Sequence, residues 1–464
     1  MKVMNKKEQY VAAIDIGTTK IVAIVGKKNE NGKIEILGLS KALSKGVKRG
    51  VVLNIEETVN AIQTTVADVQ KRSGIQFSEV FVGIAGQHIK SMKNRGYIIR
   101  DAYDDEIQKE EVFKLIEDMH KIHIEIGEEI IHVIPQNFIV DNETGVKSPI
   151  GMCGRRLEAN FHIVIGHVAA AKNIEKCIRK ANLTVKDMIL EPLASSDAVL
   201  TEDEKEAGVV LVDIGGGTTD VAVYYDNIIR HTAVIPFGGN VVTKDIKEGC
   251  AILQRHAEQL KIQYGSALGD LAPEDKVVSI PGISGRQPKE ISFKSLSYII
   301  QSRMEEIIDA VNFEVQNSGY ADKLAAGVVI TGGGAMLKHL PQLMKFKTAM
   351  DVRIGLPNEH LAGSAKNEIN QPMYATSVGL IMRGFEYLDT YKKSFNAGIP
   401  EEFVKPKVAV APVYVEPENS EQIEEEEEEV VLKPTVVAEE KTPLTEKIKM
   451  MLSRMFEVED QVIK

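Results

Sequence analysis

The chain is short of several things, and each shortage narrows what it can do. Only three of its 464 residues are cysteine, and Cys153, Cys177 and Cys250 lie far apart with no C-x-x-C spacing. That excludes a disulfide framework and a zinc ribbon, and it fits a reducing compartment. No apolar run approaches the ~20 residues needed to cross a bilayer, and the amino-terminal stretch has no long apolar core of a secretory signal. Tryptophan is absent, which by itself excludes nothing. A basic surplus is missing as well, because the formal net charge is −11. Residues 397–442 hold thirteen Asp/Glu against four Lys/Arg, and so carry nine of those eleven charges. The rest of the chain is near neutral, and without clustered Lys/Arg no nucleic acid is expected as a partner. What is present, 44% hydrophobic and 27% charged residues, is the composition of a globular protein with room for two to four domains.

One short motif occurs twice. Ile14-Asp15-Ile16-Gly17-Thr18-Thr19-Lys20 returns almost half a chain later as Val212-Asp213-Ile214-Gly215-Gly216-Gly217-Thr218-Thr219-Asp220. Each copy sits between two short apolar runs. Glycines and hydroxyls in such a turn expose the backbone N–H groups that a phosphate needs. An Asp at the strand end can hold a hydrated divalent cation beside them. One copy would serve a plain hairpin equally well; two predict two similar domains facing one nucleotide.

The surroundings of the motif are duplicated too. Strands are expected at 11–14, 21–25 and, after Asn31-Gly32, at 33–39, followed by a helix at 55–71 and a strand at 80–84. The second copy repeats this with strands at 209–212, 221–225 and 228–236, turned at Asp226-Asn227, and a helix from about residue 240. Three strands before the helix disfavour a Walker-type loop. A third glycine turn, Thr331-Gly332-Gly333-Gly334-Ala335, leads from a strand into a helix expected at 336–344. Alone it fits a tight turn with positive φ as well as it fits a ligand contact. Leu190-Glu191-Pro192 opens a helix of small residues suited to packing between domains. Glu258 and Lys261 share a helical face at i, i+3, an arrangement that an exposed ion pair would also give. His120-x-x-His123 and His132 lack a matching pair of ligands and read as a helix edge, not a zinc site.

Two stretches interrupt the repeats. Residues 88–168 are long enough for a small inserted α/β domain, and 250–325 carry an extra helix. After Tyr391 the pattern stops. Six prolines from Pro400 to Pro443 and the run Glu424–Glu429 predict a disordered acidic linker. Beyond it Leu444, Ile448, Met451, Leu452, Met455, Phe456 and Val458 return at helical spacing, within an arc of roughly 160°. Thr442-Pro443 is a helix start, and Lys447, Lys449 and Arg454 flank the apolar arc. On such a tether a core helix is the weakest reading. A membrane-interface anchor fits better than a coiled-coil seam, with docking to a partner as the alternative.

Taken in order, these features resemble the actin, Hsp70 and sugar-kinase superfamily and, within it, the FtsA family of bacterial division proteins. The resemblance spans residues 10–391. It is supported by Gly46-Val47-Lys48-Arg49-Gly50-Val51-Val52, Gly83-Ile84-Ala85-Gly86-Gln87-His88-Ile89, Pro149-Ile150-Gly151-Met152-Cys153-Gly154-Arg155-Arg156-Leu157-Glu158-Ala159 and Gly238-Gly239-Asn240. It implies an α/β fold of two duplicated ribonuclease-H-like (actin-like) domains around a nucleotide cleft. The first would be 9–87 with 169–207, the second 208–249 with 326–391 and an outer subdomain at 250–325. Residues 88–168 would be an inserted SHS2-like domain, 392–442 the linker and 443–458 an amphipathic membrane-targeting helix.

The resemblance also implies chemistry. ATP and Mg²⁺ would be the cofactors, with phosphates held by Gly17, Thr18, Thr19 and Lys20 and by Gly215, Gly216, Gly217, Thr218 and Thr219. Asp15 and Asp213 would orient Mg²⁺ through water. Gly332, Gly333 and Gly334, with Glu258 and Lys261, would meet the adenosine. Glu191 would position a water, with slow ATP turnover at most. The implied partners are further copies of the chain, the FtsZ C-terminal tail, lipids of the cytoplasmic membrane at the division septum, and other division proteins. Arg303 and Lys294 are the candidates to pair with FtsZ carboxylates. A small-molecule kinase of the same superfamily, or a pilus-assembly adaptor, is the alternative.

Overall fold

The computed structural model describes residues 9–396, except 30, 102–103, 283–286, 358–359 and 363–365. The terminal helix expected at 443–458, and nearly all of the expected linker, lie outside the described residues.

The first lobe opens with β1 (Tyr10–Ile16), β2 (Lys20–Lys28) and β3 (Ile34–Leu43), then a small hairpin of β4 (Val47–Lys48) and β5 (Val51–Val52). The apolar runs of β1 and β2 are buried on both faces, which is why they are continuous and not alternating. Helix α1 (Ile55–Ser73) starts where the Asn54 side chain accepts the Glu57 N–H and ends at Gly74 with φ +70°. It buries Val59, Ile62, Val66 and Val69, one helical face. Strand β6 (Glu79–Ile84) completes the unit.

The inserted segment follows as β7 (Lys90–Ile99), α2 (Lys109–Met119), β8 (Glu128–Val140), β9 (Glu143–Val146) and β10 (Arg156–His167). These strands form a separate sheet in the order β7-β10-β8-β9. Leu115 and Met119 of α2 pack on Leu157, Phe161 and Ile163 of one face. His132, expected at a helix edge, instead lies within β8, where Nε2 accepts the Leu190 N–H at 3.0 Å. Burial lowers its pKa to about 4, aided by the charge of Arg383.

The chain returns through α3 (Val168–Lys180) and β11 (Thr184–Leu190), crosses between the lobes as α4 (Glu191–Val199), and continues through α5 (Glu202–Ala207). The second lobe repeats the plan in β12 (Val209–Ile214), β13 (Thr219–Tyr225), β14 (Ile228–Ile235) and α6 (Gly239–Gly249). Asp226 and Asn227 both take positive φ, as a two-residue hairpin turn demands. An outer part follows: α7 (Gln254–Tyr264), β15 (Val277–Ile280), β16 (Lys289–Ser292) and the long α8 (Phe293–Ser318). The lobe closes with β17 (Gly327–Thr331), α9 (Leu340–Thr348) and β18 (Val352–Ile354). Then β19 (Leu361–Ala362), α10 (Lys366–Ile369) and α11 (Ala375–Asn396) lead back to the first lobe. Helix α11 runs five residues past the point where the linker was expected to begin.

The two main sheets read β11-β6-β1-β2-β3-β19 and β14-β13-β12-β17-β18. In each, three antiparallel strands are joined to a parallel partner, β6 or β17. Helices α4 and α11 cross between the sheets. A methyl group at Gly379 would fall 1.8 Å from the Ala194 carbonyl oxygen, so the two backbones touch directly.

One expected element is displaced. The helix expected at 336–344 is preceded by a 3₁₀ turn at Gly333–Met336, and α9 begins only after His339 at φ +61°. Gly332, at φ +81°, lies against Asp213 and Ile214. The chain must clear that strand end before a helix can form.

Candidate functional site

The two duplicated turns meet face to face. Ile16 pairs with Ile21 across β1 and β2, and Ile214 with Thr219 across β12 and β13. Gly17-Thr18-Thr19-Lys20 is therefore equivalent to Gly215-Gly216-Gly217-Thr218. Thr218 occupies the place of Lys20, Thr219 that of Ile21 and Asp220 that of Val22. Thr219, expected at a phosphate, is fully buried on a strand, and its hydroxyl donates to the Phe237 carbonyl at 2.9 Å.

The glycines of the second turn make room for the threonines of the first. A methyl group at Gly216 would fall 2.2 Å from Thr19 Cγ2, and one at Gly217 would fall 2.4 Å from Thr18 Oγ1. Thr18 Oγ1 accepts the Gly50 N–H at 3.1 Å. Lys20 Nζ donates to the Met373 carbonyl and lies 4.9 Å from the Tyr374 ring centroid.

Around the turns lie four acidic side chains and the ammonium of Lys20, with Lys41 also against the Tyr374 ring. Asp15 accepts the Ser377 hydroxyl at 2.9 Å. Asp213 accepts Ser195 at 2.6 Å and Thr376 at 3.1 Å. Glu191 begins α4, and Asp220 stands across the strand pair from Asp213. Burial raises the pKa of Asp15, opposed by Lys20 and Ser377, and raises that of Asp213, opposed by Ser195 and Thr376. Burial and then the neighbouring acids push Glu191 and Asp220 well above the usual carboxylate range. Burial also lowers Lys20, although Asp15 and Asp213 pull it back up.

This is buried acidity in excess of its counter-charge, and Asp220 Oδ1 has no hydrogen-bond partner. A hard divalent cation with oxygen ligands fits that deficit. Among the described residues no three His, Cys, Asp or Glu groups stand close enough to ligate a metal directly. Ser195, Thr376, Ser377 and Asp220 were not picked out as site residues from the sequence. Ser195 was legible only within a small-residue packing helix, and Asp220 only as the last residue of the repeated motif.

The other candidates divide into two groups. Lys261 Nζ bonds the Gly239 carbonyl at 2.9 Å, Thr243 Oγ1 at 2.8 Å and Glu258 at 2.9 Å. Gly239 N–H in turn bonds the Gly215 carbonyl at 2.9 Å, so the pair is fastened beside the second turn. Gly332 and Gly334 pack on Asp213 and Ile214, whereas a methyl group at Gly333 would meet nothing within 4 Å. Arg303 and Lys294 lie away on the outer part, already engaged. Arg303 pairs with Asp245 of α6 at 2.5 Å and with Glu306, and Lys294 pairs with Glu274.

Two like α/β lobes, joined by crossing helices and meeting at glycine–threonine turns, define an actin-like fold. Solved structures share it. A chain of a PilM–PilN type IV pilus biogenesis complex aligns at TM-score 0.57 and 13% identity, covering 81% of this chain and 98% of that one. MreB5 of Spiroplasma citri bound to ADP aligns at TM-score 0.50 and 15% identity, covering 84% and 99%. The family model for cell division protein FtsA matches residues 210–379, and that for the SHS2 domain inserted in FtsA matches residues 86–165. Cell division protein FtsA of Pseudomonas aeruginosa is 40% identical over 379 residues, covering 82% of this chain and 90% of the relative. FtsA of Neisseria meningitidis is 38% identical, with coverages of 82% and 91%, and that of Escherichia coli K12 is 35% identical with the same coverages. The chain belongs to the FtsA family of cell division proteins.

Proposed function

We propose that the protein binds Mg-ATP between its lobes, assembles into filaments, and holds FtsZ filaments at the cytoplasmic face of the membrane during division. The observation that carries the nucleotide reading is the buried group of Asp15, Glu191, Asp213 and Asp220 where the two turns meet. Turn amides with Thr18, Thr19, Lys20 and Thr218 would take the phosphates, and the acids would take a hydrated Mg²⁺ that neutralises phosphate charge. Two solved structures of Spiroplasma citri MreB5 are bound to ADP and to AMPPNP, which supports a nucleotide in this cleft. Glu191 would position a water for slow turnover at most, with ATP mainly fixing the angle between lobes.

Membrane attachment rests on the amphipathic spacing from Leu444 to Val458 and its flanking Lys447, Lys449 and Arg454. Among the described residues no helix is long and apolar enough to cross a membrane. The 46 residues from 397 to 442 would span ~35–40 Å as a flexible coil. Docking of the acidic FtsZ tail at Arg303 or Lys294 would require a partner carboxylate to replace Asp245, Glu306 or Glu274. Co-sedimentation with anionic vesicles tests the anchor. Met455→Glu is expected to abolish it while Mg-ATP binding stays unchanged, and undiminished vesicle binding would refute the anchor.

A further inference from the structure

The short segment from Pro372 to Ser377 is tied to all three glycine turns or to the acids beside them. Thr331 Oγ1 and the Gly332 N–H both donate to the Pro372 carbonyl at 3.2 Å. Lys20 Nζ donates to the next carbonyl, that of Met373. Tyr374 follows, and α11 then opens with Thr376 and Ser377, whose hydroxyls donate to Asp213 at 3.1 Å and to Asp15 at 2.9 Å. Within this segment Tyr374 holds the first turn through its ring.

Tyr374 is buried, yet its ring takes two ammonium groups. Lys20 Nζ lies 4.9 Å from the ring centroid and Lys41 Nζ 5.8 Å from it. Lys41 also donates to the Tyr374 hydroxyl at 3.2 Å. Strand register explains the meeting. Asp15, Val22 and Lys41 form one row across β1, β2 and β3, and Lys20 stands two residues from Val22 on the same sheet face. Two like charges so placed repel, and the negative face of an aromatic ring offsets part of that cost. A ring also positions an ammonium without cancelling its charge, which a bonded carboxylate would do.

We propose that Tyr374 is a positioning residue for phosphate binding, its ring holding the Lys20 ammonium at the first turn and its hydroxyl anchoring Lys41 beside it as a second positive charge. This rests on the reading that Lys20 meets the phosphates of a nucleotide. Met373 takes one of the three N–H donors of Lys20, and the ring fixes the charge while donors remain for phosphate oxygens. Lys41 acts on Lys20 through charge alone, as a like neighbour that makes the neutral amine easier to form.

Calorimetry of Mg-ATP binding to the full chain, from neutral to alkaline pH, tests the assignment. Tyr374→Leu should weaken binding about five- to tenfold, whereas Tyr374→Phe keeps the ring and should stay within about twofold of the wild type. Binding should fall as pH rises through the pKa of Lys20, because only the ammonium attracts phosphate. Burial lowers that pKa, Asp15 and Asp213 raise it, and Lys41 lowers it. Lys41→Met removes the like charge and should move the fall to higher pH; Tyr374→Leu removes the ring and should move it to lower pH. In a Lys20→Met background none of these differences should remain. Lys41 is exposed, so its variant decides the matter if Tyr374→Leu fails to fold. Equal losses in Tyr374→Phe and Tyr374→Leu, a fall at unchanged pH in Lys41→Met, or effects that persist without Lys20 overturn the proposal. Absence of Mg-ATP binding to the wild type would instead sink the nucleotide reading, and this role of Tyr374 with it.

Discussion

Replacing Asp220 by Asn probes the buried acidity most directly. The side chain is 5% exposed and lies across the strand pair from Asp213, and its Oδ1 has no partner. Its pKa stands well above the ordinary 3.8, first through burial and then through the charges of Asp213 and Asp15. An acid with a raised folded pKa binds more protons folded than unfolded, so at pH 7 it costs stability, and the cost fades as pH falls toward 3.8. Asn has the same shape and no proton to take up. Without Mg²⁺ or nucleotide, Asp220→Asn is therefore expected to stabilise by about 1–3 kcal/mol at pH 7, the penalty of a buried polar group left unmatched. That corresponds to a rise of a few degrees in Tm. The gain should shrink on going to pH 4.5. Mg²⁺-dependent ATP affinity should fall at least tenfold in the same variant, because a carboxylate that offsets the cation is gone. Thermal unfolding at the two pH values, with calorimetry of Mg-ATP binding, reads all three effects. A lower Tm for the variant at pH 7 without ligand would refute the reasoning, because the carboxylate would then be satisfied in the folded protein.

Two further outcomes follow from single distances and shifts. His162 is buried, and burial, then the charges of His231 and Lys93, hold its pKa at about 4. The unfolded chain takes up that proton below ~6.5 and the folded one does not, so stability is full above pH 6.5 and falls by ~1.4 kcal/mol per unit down to about pH 4. His162→Gln should remove that slope, worth about 2 kcal/mol at pH 5 by urea unfolding, and an unchanged slope would disprove the assignment. Gly216→Ala places its methyl 2.2 Å from Thr19 Cγ2 and is expected to cost about 1–3 kcal/mol. Adding Thr19→Ala leaves Thr19 Cβ at 3.2 Å as the nearest remaining atom of that side chain and should restore most of the loss. Strict additivity in the cycle would mean that the two turns do not meet.

The first three strands of each lobe were legible because their apolar runs are punctuated by turn residues such as Asn31-Gly32 and Asp226-Asn227, whereas β11, β18 and β19 were not expected. Helix α1 was legible through its apolar period, and α8 as the extra helix expected within residues 250–325. Less could be read where tertiary contacts overrode the local pattern. The Gly332–Gly334 turn looked like a helix entry, but packing against Asp213 and Ile214 diverts the chain through a 3₁₀ turn first. His132 looked like a surface residue because its acceptor role depends on the Leu190 amide, 58 residues away. The acids at the turns were readable as cation candidates. Their excess over the available counter-charge was not, because it depends on burial that only the folded arrangement creates. Arg303 was singled out by resemblance, and no sequence pattern disclosed that Asp245 holds its guanidinium.

The duplicated turn shows how a repeat can share a backbone and divide the chemistry. Strand register makes Thr18, Thr19 and Lys20 equivalent to Gly216, Gly217 and Thr218. Position two of the second turn meets position three of the first, and position three meets position two, as Gly216 with Thr19 and Gly217 with Thr18. Such reciprocal contact is what two like loops related by an approximate twofold must make. Two threonine-bearing turns would collide there, and two glycine turns would leave a gap with no hydroxyls. One of each lets the lobes touch and still offers hydroxyl and amide donors on one face. The charges follow the same division: the first turn carries the ammonium of Lys20, and the second carries the additional acid, Asp220, at the place where the first has Val22. Identical turns would have doubled the acid without the ammonium, or the ammonium without the acid. On the proposed reading, the departures from exact repetition are what would suit the meeting point to a cation together with phosphates.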